Sequence, residues 1–306
     1  MPTSATSAHA ALPDCAHLHA DRKGLLLGLV AVAMFSLTLP LTRMAVAELD
    51  ATFVALGRAM AAACLAGLWL WQQKAPLPRR AQWLPLAAVA AGCVVGFPLL
   101  TSFAMRSLPA SHGAVLVGVL PLATAVFAVL RGKERPSMGF WLMALAGTAL
   151  VATFALRQGG GSLHQADLLM FGAVLLGALG YAEGGRLAQS MPGAQVISWA
   201  LVLAAPFLLI PVISVAWPQR ALMAQASTQA WLAFAYISVF SMLIAFFFWY
   251  RAMALGGVAR VGQVQLLQPF LTLLGAAVLL GEALSVDSLL FAGAVIAVVA
   301  IGRKLK

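Results

Sequence analysis

Three polar side chains interrupt an apolar segment near the C-terminal end of the chain. Gln265, Gln268 and Thr272 stand at positions i, i+3 and i+7, so a helix places them on one face. An amide left unpaired in hydrocarbon is costly, so this face should point to a cavity or a neighbouring helix. Amides both donate and accept hydrogen bonds, which suits a zwitterionic substrate. Hydrogen bonding between helices is the alternative.

Two charged residues also fall within apolar segments. Glu183 could bind an ammonium group or relay a proton, since carboxylates inside membranes are functional candidates. Its alternative is a structural ion pair with Arg186, three positions later. Arg58 could hold a substrate carboxylate through its fork of N–H donors. It could instead pair with one of the acidic residues that precede it, Glu48 or Asp50.

Several hydroxyl, imidazole and aromatic side chains could also line a cavity. Hydroxyls in membrane helices often bond to their own backbone, and a histidine can sense protons or lie at the interface. The aromatic run 246–250 resembles an interfacial belt, although some of its rings could face a cavity and stack on aromatic substrates. These candidates are Ser36, Thr38, Thr101, Ser102, His112, Tyr181, Trp249 and Tyr250.

Prolines within the apolar segments mark candidate breaks and gates. A proline inside a helix leaves a backbone carbonyl without its amide partner and kinks the helix. Carriers often build their binding sites at such breaks, although a tolerated packing kink is the alternative. The candidates are Pro40, Pro98, Pro121, Pro206, Pro211 and Pro269.

The elements that position these residues must lie in lipid. The chain has 306 residues, 62% of them hydrophobic and 9% charged, with a mean hydropathy of +0.96. Soluble domains carry about 25% charged residues. Continuous apolar runs without strict alternation predict an all-α membrane protein rather than a barrel. We predict ten spans, at 24–46, 51–71, 82–105, 110–130, 137–156, 167–189, 195–217, 229–253, 258–280 and 285–303.

The basic residues predict an orientation rather than a nucleic-acid site. With a cytoplasmic N-terminus, 14 Lys and Arg residues fall inside and 4 outside, and Arg58 lies within a span. This bias places both termini in the cytoplasm. The positive residues stand singly between apolar runs, so we expect the bilayer and a small-molecule substrate as partners and no nucleic acid. The oligomeric state cannot be read from the sequence.

A stretch of the sequence occurs twice, at a constant offset of 148 positions. Ala-Met at 104 and 252, proline at 121 and 269, threonine at 124 and 272 and glutamate at 134 and 282 all match. Five crossings per half is an odd number, so the second half should be inverted in the membrane. The predicted parts are a disordered tail (1–23), a first repeat (24–156), a linker (157–166) and a second repeat (167–303).

The two copies differ in polarity. Three glutamines, at 263, 265 and 268, stand where the first copy has Val115, Val117 and Leu120. A one-sided binding site is therefore expected on the ninth span.

The five-plus-five arrangement with its paired Ala-Met, proline and glutamate positions resembles the EamA-type drug/metabolite transporter superfamily, over roughly residues 24–303. The residues that carry the resemblance are Ala104, Pro121, Glu134, Ala252, Pro269 and Glu282. It implies a bacterial inner-membrane carrier, most often an exporter of amino acids or other small metabolites. Within the superfamily, the YddG-like aromatic amino-acid exporters are the nearest resemblance.

These observations predict a secondary transporter that exports small organic solutes, most often aromatic or other apolar amino acids, by alternating access. A proton-coupled multidrug or metabolite exporter is the alternative, and a non-transporting scaffold or sensor is a third possibility. No zinc-ligand motif, nucleophile elbow or phosphate-binding loop is present in the sequence. We therefore predict neither an enzyme nor a cofactor.

Overall fold

The computed structural model describes residues 15–131, 137–158, 160–256, 261 and 264–304. Two positions singled out above, Glu134 and Gln263, lie outside these ranges, as does most of the predicted tail. Within the described ranges all regular secondary structure is helical. The first helix begins at Cys15, since neither glycine nor proline interrupts residues 15–23, and its part that could cross a membrane begins at Arg22, close to the predicted residue 24.

Eight of the helices are long and apolar enough to cross a membrane, and two further apolar helices are shorter. The predicted spans therefore correspond to eight full-length and two shorter helices in the described residues. The longer helices are α1 (Arg22–Val46), α2 (Phe53–Gln72), α3 (Arg80–Ala104), α4 (Ala110–Leu130), α5 (Met138–Gln158), α6 (Gln165–Leu187), α7 (Gly193–Met223) and α8 (Thr228–Gly256). The shorter ones are α9 (Gln265–Leu280) and α10 (Val286–Gly302).

Contacts between the helices follow the sequence repeat. The pair α1 and α8 corresponds to α6 and α3, and the pair α4 and α6 corresponds to α9 and α1. The pairs α2 with α7, α4 with α9 and α5 with α10 each join a helix to its own counterpart. Exchanging the halves thus leaves these pairings unchanged, as expected of two structurally similar repeats that share one core.

The helix breaks lie close to four of the predicted prolines. The regular helix is interrupted at Leu37, three residues before Pro40, and again at residues 118–119 before Pro121. Pro98 lies in the first turn of the segment Phe97–Ala104, and Pro269 in the first turn of Gln268–Leu280. Because its ring nitrogen lacks a hydrogen, proline fits best where the preceding carbonyls already lack helical partners.

The prediction of breaks at Pro206 and Pro211 is wrong. Helix α7 runs without interruption from Gly193 to Met223 with both prolines inside it. Much of this helix faces outward, with Phe207 and Ile210 each about three-quarters exposed (75% and 76%). A surface helix can curve around a proline without a neighbouring element entering the gap.

Helices α3 and α6 pack at very short range through glycines. A Cβ atom at Gly92 would overlap the carbonyl oxygen of Leu176, and one at Gly180 would overlap the Cys93 side chain. Gly184 lies equally close to Tyr250 of α8. Small residues let helix backbones approach in a membrane, where dispersion contacts replace the hydrophobic effect as the main attraction. The close crossing brings α3, α6 and α8 together around the centre of the molecule.

Candidate functional site

A small internal cavity lies at the centre, between elements of both halves. Its lining comes from helices α1 to α4, α6, α8 and α9. The space open to the centres of water molecules is about 30 Å³, which suffices for one or two waters. The lining residues are Phe35, Thr38, Leu39, Arg58, Cys93, Phe97, Pro98, Val117, Leu120, Gly177, Tyr181, Ser241, Met242, Phe246 and Gln268.

Three stretches of π-helix lie near this cavity, and two of them contribute lining residues. They span Phe53–Gly57 in α2, Ala90–Gly96 in α3 and Ile237–Ile244 in α8. The second and third occupy matching positions of the repeat, since 90–96 plus the offset of 148 gives 238–244. A π-helix holds more residues per turn than an α-helix, and such segments are frequent at functional sites. They rotate the residues that follow, and Arg58 comes directly after the first one.

Four aromatic rings form a box along one side of the cavity. The ring centroid of Phe35 lies 5.0 Å from Phe246 and 6.2 Å from Tyr181. Trp249 backs this group, 5.6 Å from Tyr181. Edge and tilted contacts of this kind stabilise aromatic clusters and present ring faces to a ligand.

The interpretation of residues 246–250 as an interfacial belt is wrong for two of its members. Trp249 and Tyr250 are buried, with exposed fractions of 2% and 0%. The Tyr250 hydroxyl donates to the carbonyl oxygen of Gly180 at 3.3 Å. The helix places these rings against α1 and α6, where the glycines of α6 leave room for them. Tyr181 and Phe246 line the cavity, whereas Trp249 and Tyr250 lie behind it.

The polar part of the cavity lining is sparse and incompletely paired. The hydroxyl groups of Thr38 and Ser241 lie 2.8 Å apart. Arg58 is 1% exposed, and its Nη1 donates to the Thr42 hydroxyl at 3.4 Å, while its Nε has no partner among the described residues. The side-chain oxygen of Gln268 also lacks a described partner. Arg58 and Gln268 therefore present an unpaired donor and an unpaired acceptor in one cavity.

The predicted polar face of α9 is buried throughout, but only part of it reaches the cavity. Gln265, Gln268 and Thr272 have exposed fractions of 3%, 8% and 2%. Of the three, Gln268 lines the cavity. Residues 265–267 form a turn of 3₁₀ helix, in which positions i and i+3 lie on the same side. The break before Pro269 thus keeps the two amides aligned.

Glu183 forms the structural ion pair with Arg186 and is not among the residues that line the cavity. Its carboxylate accepts a hydrogen bond from Arg186 Nη2 at 2.6 Å. Glu183 is buried while Arg186 is about half exposed, so the arginine extends from the carboxylate towards the helix end.

Four other candidates are buried in the helix bundle away from the cavity. The hydroxyls of Ser36 and Thr101 donate to their own helices, at Ala33 and Phe97. Ser102 is buried and has no described partner. His112 lies 2.8 Å from the carboxylate of Asp167, a contact that ties α4 to α6. This pair could not be predicted from local spacing, because its members are 55 positions apart.

One end of the bundle is held together by carboxylates that bond from one half to the other. Glu282 accepts hydrogen bonds from the backbone N–H groups of Ala110 and Ser111, both at 2.8 Å. Arg43 lies 3.5 Å from the same carboxylate, and its guanidinium donates to the carbonyl of Leu108. We call this the Glu282 end.

A second carboxylate makes similar contacts between the halves. Glu48, between α1 and α2, accepts from the hydroxyl and the backbone N–H of Ser227, both at 2.6 Å. These two hydrogen bonds, the hydroxyl's first, hold the pKa of Glu48 below its ordinary value. The carboxylates of Glu48 and Glu282 each join a loop of one half to the other.

The opposite end carries a wide depression instead. About 790 Å³ of water-accessible space lies among the start of α1, the end of α2, the connection from α6 to α7 and the end of α8. Lys23 and Arg251 are among the residues that line it. We call this the Lys23 end. The Glu282 end also has a smaller depression, of about 490 Å³ at the end of α7, so the two ends differ in the size of this space and in the carboxylate contacts described above.

Comparison with known proteins places these features in a family. Two segments of the chain, 22–156 and 164–302, match the EamA-like transporter family. A Bacillus subtilis protein described as "Uncharacterized transporter YdeK" is 48% identical over 257 residues, which is 83% of this chain and 88% of that protein. A solved crystal structure aligns over 92% of this chain and 98% of its own, with a TM-score of 0.62 and 18% identity, and shows a likeness of fold alone.

Proposed function

The chain belongs to the EamA-like transporter family, and from this premise we propose that it exports small apolar or aromatic amino acids or related metabolites by alternating access. It is a multi-pass membrane transporter and not an enzyme, as its family and its relative indicate. The observation that carries the proposal is the central cavity, which combines an aromatic box with unpaired polar groups and is enclosed by both halves.

The proposed topology has ten crossings in two inverted halves, with both termini in the cytoplasm of a bacterial inner membrane. The separate matches of residues 22–156 and 164–302 to one family support the duplication. The bias of basic residues supports the orientation. In this topology the Glu282 end faces outward and the Lys23 end faces the cytoplasm. The outer end is then linked by Glu282 and Glu48, and the cytoplasmic end carries the wide depression.

Alternating access follows from the internal symmetry. Two similar halves related by a pseudo-two-fold axis can exchange inward and outward shapes at similar free energy. The helix breaks before Pro121 and Pro269 lie side by side, since Gly118, at the first break, packs close to the Pro269 ring. We propose that the two breaks together form a hinge for this rearrangement. We propose that export proceeds as the contacts of Glu282 and Glu48 open and the Lys23 end closes.

Reconstitution in proteoliposomes tests this function. The purified full-length protein should give saturable, substrate-specific flux for members of a panel of aromatic and branched amino acids. Vesicles with the Gly92→Leu protein, which we expect to be misassembled, provide the background. Flux equal to that background for every solute in a broad amino-acid and metabolite panel would contradict the proposal.

Proton coupling is a second candidate, and the buried His112–Asp167 pair is the observation that favours it. Pairs of an imidazole and a carboxylate inside membrane proteins serve as proton relays. The described lining of the cavity, however, contains no carboxylate, so substrate and proton would not share one group. We therefore favour uniport. Accumulation driven by an imposed pH gradient, and lost in His112→Gln, would support coupling instead.

A further inference from the structure

We propose that Arg58 selects the substrate, and that the central cavity takes solutes with one carboxylate attached to an apolar or aromatic body. This inference rests on the proposed function, because it assigns the substrate class of the same cavity. It also separates amino-acid and carboxylate export from the export of cationic drugs.

The first argument is the state of the Arg58 side chain. Its guanidinium carries five N–H donors, yet within the described residues it makes one long hydrogen bond, to Thr42. Nε lacks a partner, and the residue is 1% exposed. An uncompensated charge is expensive to bury in a membrane protein, so such residues usually mark binding sites. The site is complete only when an anion occupies it.

The second argument is that the nearby carboxylates are engaged elsewhere. Glu48 accepts two hydrogen bonds from Ser227, and Asp50 accepts from the backbone N–H groups that start α2. The structural alternative, in which Arg58 pairs with one of these two residues, is therefore not what the structure shows. The other carboxylates with described side chains also have partners, at Asp167, Glu183, Glu282 and Asp287.

The third argument concerns the charge of the ligand. Arg58 is the one charged residue in the described lining of the cavity. A dianionic phosphate would leave a negative charge uncompensated and desolvated, whereas a single carboxylate balances the arginine and matches its planar fork. A cation without a carboxylate would be repelled. The charge of the lining thus favours monocarboxylates and zwitterions.

The remaining lining suits the rest of an amino acid. The unpaired side-chain oxygen of Gln268 can accept a hydrogen bond from an ammonium group. The faces of Phe35, Tyr181 and Phe246 can contact an apolar or aromatic side chain, and ring faces also attract cations. The π-helical segment before Arg58 sets its direction towards this space. These groups together match a zwitterion with an apolar side chain, and because the cavity of about 30 Å³ admits only one or two waters, it must widen as the halves move apart to admit such a solute.

A series of matched solutes tests the inference. Phenylalanine and phenylacetate carry a carboxylate, whereas phenylalaninamide and phenethylamine do not. We expect wild-type protein to be stabilised against heat in detergent by the first two at concentrations at least roughly 10-fold lower than by the last two, because a hydrogen-bonded charge is lost. Flux in proteoliposomes should follow the same order. In Arg58→Gln this preference should disappear, and Arg58→Lys should retain part of it.

Arg220→Gln is the matched control, because it removes the same charge from an exposed residue outside the cavity. It should leave the preference unchanged. Measurements in sulfate buffer with and without chloride distinguish a bound inorganic anion from a substrate carboxylate. Stabilisation by chloride alone, with none by phenylacetate or phenylalanine, would overturn the inference.

The outcomes also separate this inference from the proposed function. Flux without any preference for carboxylates in wild-type protein overturns the role of Arg58 and leaves transport standing. Carboxylate binding that depends on Arg58, without flux of any solute, supports the inference and contradicts transport. The wild-type comparison decides the inference even if Arg58→Gln fails to fold.

Discussion

The two halves of the molecule share a scaffold but differ in chemistry. The π-helical segments of α3 and α8 fall at matching positions, and so do the breaks before Pro121 and Pro269. At the cavity, however, Leu120 of the first half faces the space that Gln268 enters from the second. We infer that the symmetric scaffold supports the conformational change, whereas substrate recognition depends on cavity residues that differ between the two halves. The predictions below test this division.

The largest effect, on stability, is expected where the backbones of α3 and α6 pack most closely. Gly92→Leu should destabilise the protein by about 3 kcal/mol, because overpacking at a backbone contact cannot be relieved by side-chain rotation. The side chain would enter the carbonyl of Leu176 in α6. Thermal unfolding and size-exclusion chromatography in detergent measure the loss. Gly293→Leu is the control, since nothing lies within 4 Å of a Cβ atom there. Equal stability of the two variants would contradict the close crossing.

The next largest effect, on substrate affinity, is expected at the cavity position where the halves differ, which is Leu120 in the first half and Gln268 in the second. Gln268→Leu copies the first half into the second and removes an acceptor from the cavity. We expect the half-saturation concentration for phenylalanine to rise roughly 10-fold or more while the protein stays folded, since a hydrogen bond to a charged group is lost. Gln225→Leu, which removes an exposed amide, should change nothing. Unaltered transport by Gln268→Leu would mean that the asymmetry has no role in recognition.

A third test concerns the Glu282 end. Glu282→Gln weakens two charge-assisted hydrogen bonds to α4 and the contact with Arg43, which should favour opening of this end by roughly 10-fold. The readout is labelling of Cys93, a cavity residue, by a membrane-impermeant thiol reagent from the outer side, in a background without Cys15 and Cys64. Faster labelling is expected.

Glu134, the counterpart of Glu282 in the first half, supplies the control for that experiment. Because the predicted inversion of the repeat would put it at the opposite end, we expect that Glu134→Gln does not accelerate labelling from outside. Acceleration by both variants would argue against an assignment of each glutamate to one end.

The smallest effect is a pH dependence at Glu48. Because its pKa is lowered by hydrogen bonds from Ser227, the ionised form stabilises the contact between the halves. This contribution is complete above the ordinary glutamate pKa of about 4.3. It is lost as the pH falls through the lowered value. The rate of outer-side labelling of Cys93, divided by that of a free thiol at the same pH because acid protonates thiols, should therefore rise modestly in acid, and Ser227→Ala should reduce that response. A response that is identical in Ser227→Ala would exclude this contact as its source.

Much of the architecture follows from sequence patterns with a simple physical basis. Long apolar runs require helices in lipid, and the constant offset of 148 positions predicts the duplication. The prolines at 40, 98, 121 and 269 mark breaks because each lacks a backbone donor. The glycine crossing was not predicted above, although Gly92 and Gly96, and Gly180 and Gly184, have the four-residue spacing of close-packed membrane helices.

The rest of the site could not be read from periodicity. A π-helical segment shifts every later side chain, so a regular helix does not indicate which way Arg58 or Trp249 points. Pairing between distant residues is likewise hidden, as with Glu48 and Ser227 or His112 and Asp167. Local spacing did suggest the pair of Glu183 and Arg186, because three positions is a helical contact distance.

Solute counterflow tests the central claim most directly. Proteoliposomes loaded with unlabelled phenylalanine are diluted into radiolabelled phenylalanine, and uptake is followed over time. A carrier with one alternately exposed cavity predicts a transient overshoot of label that saturates with concentration and is absent from vesicles without protein. Uptake that only approaches equilibrium, with no overshoot and no saturation at any concentration, would contradict alternating access through the shared cavity.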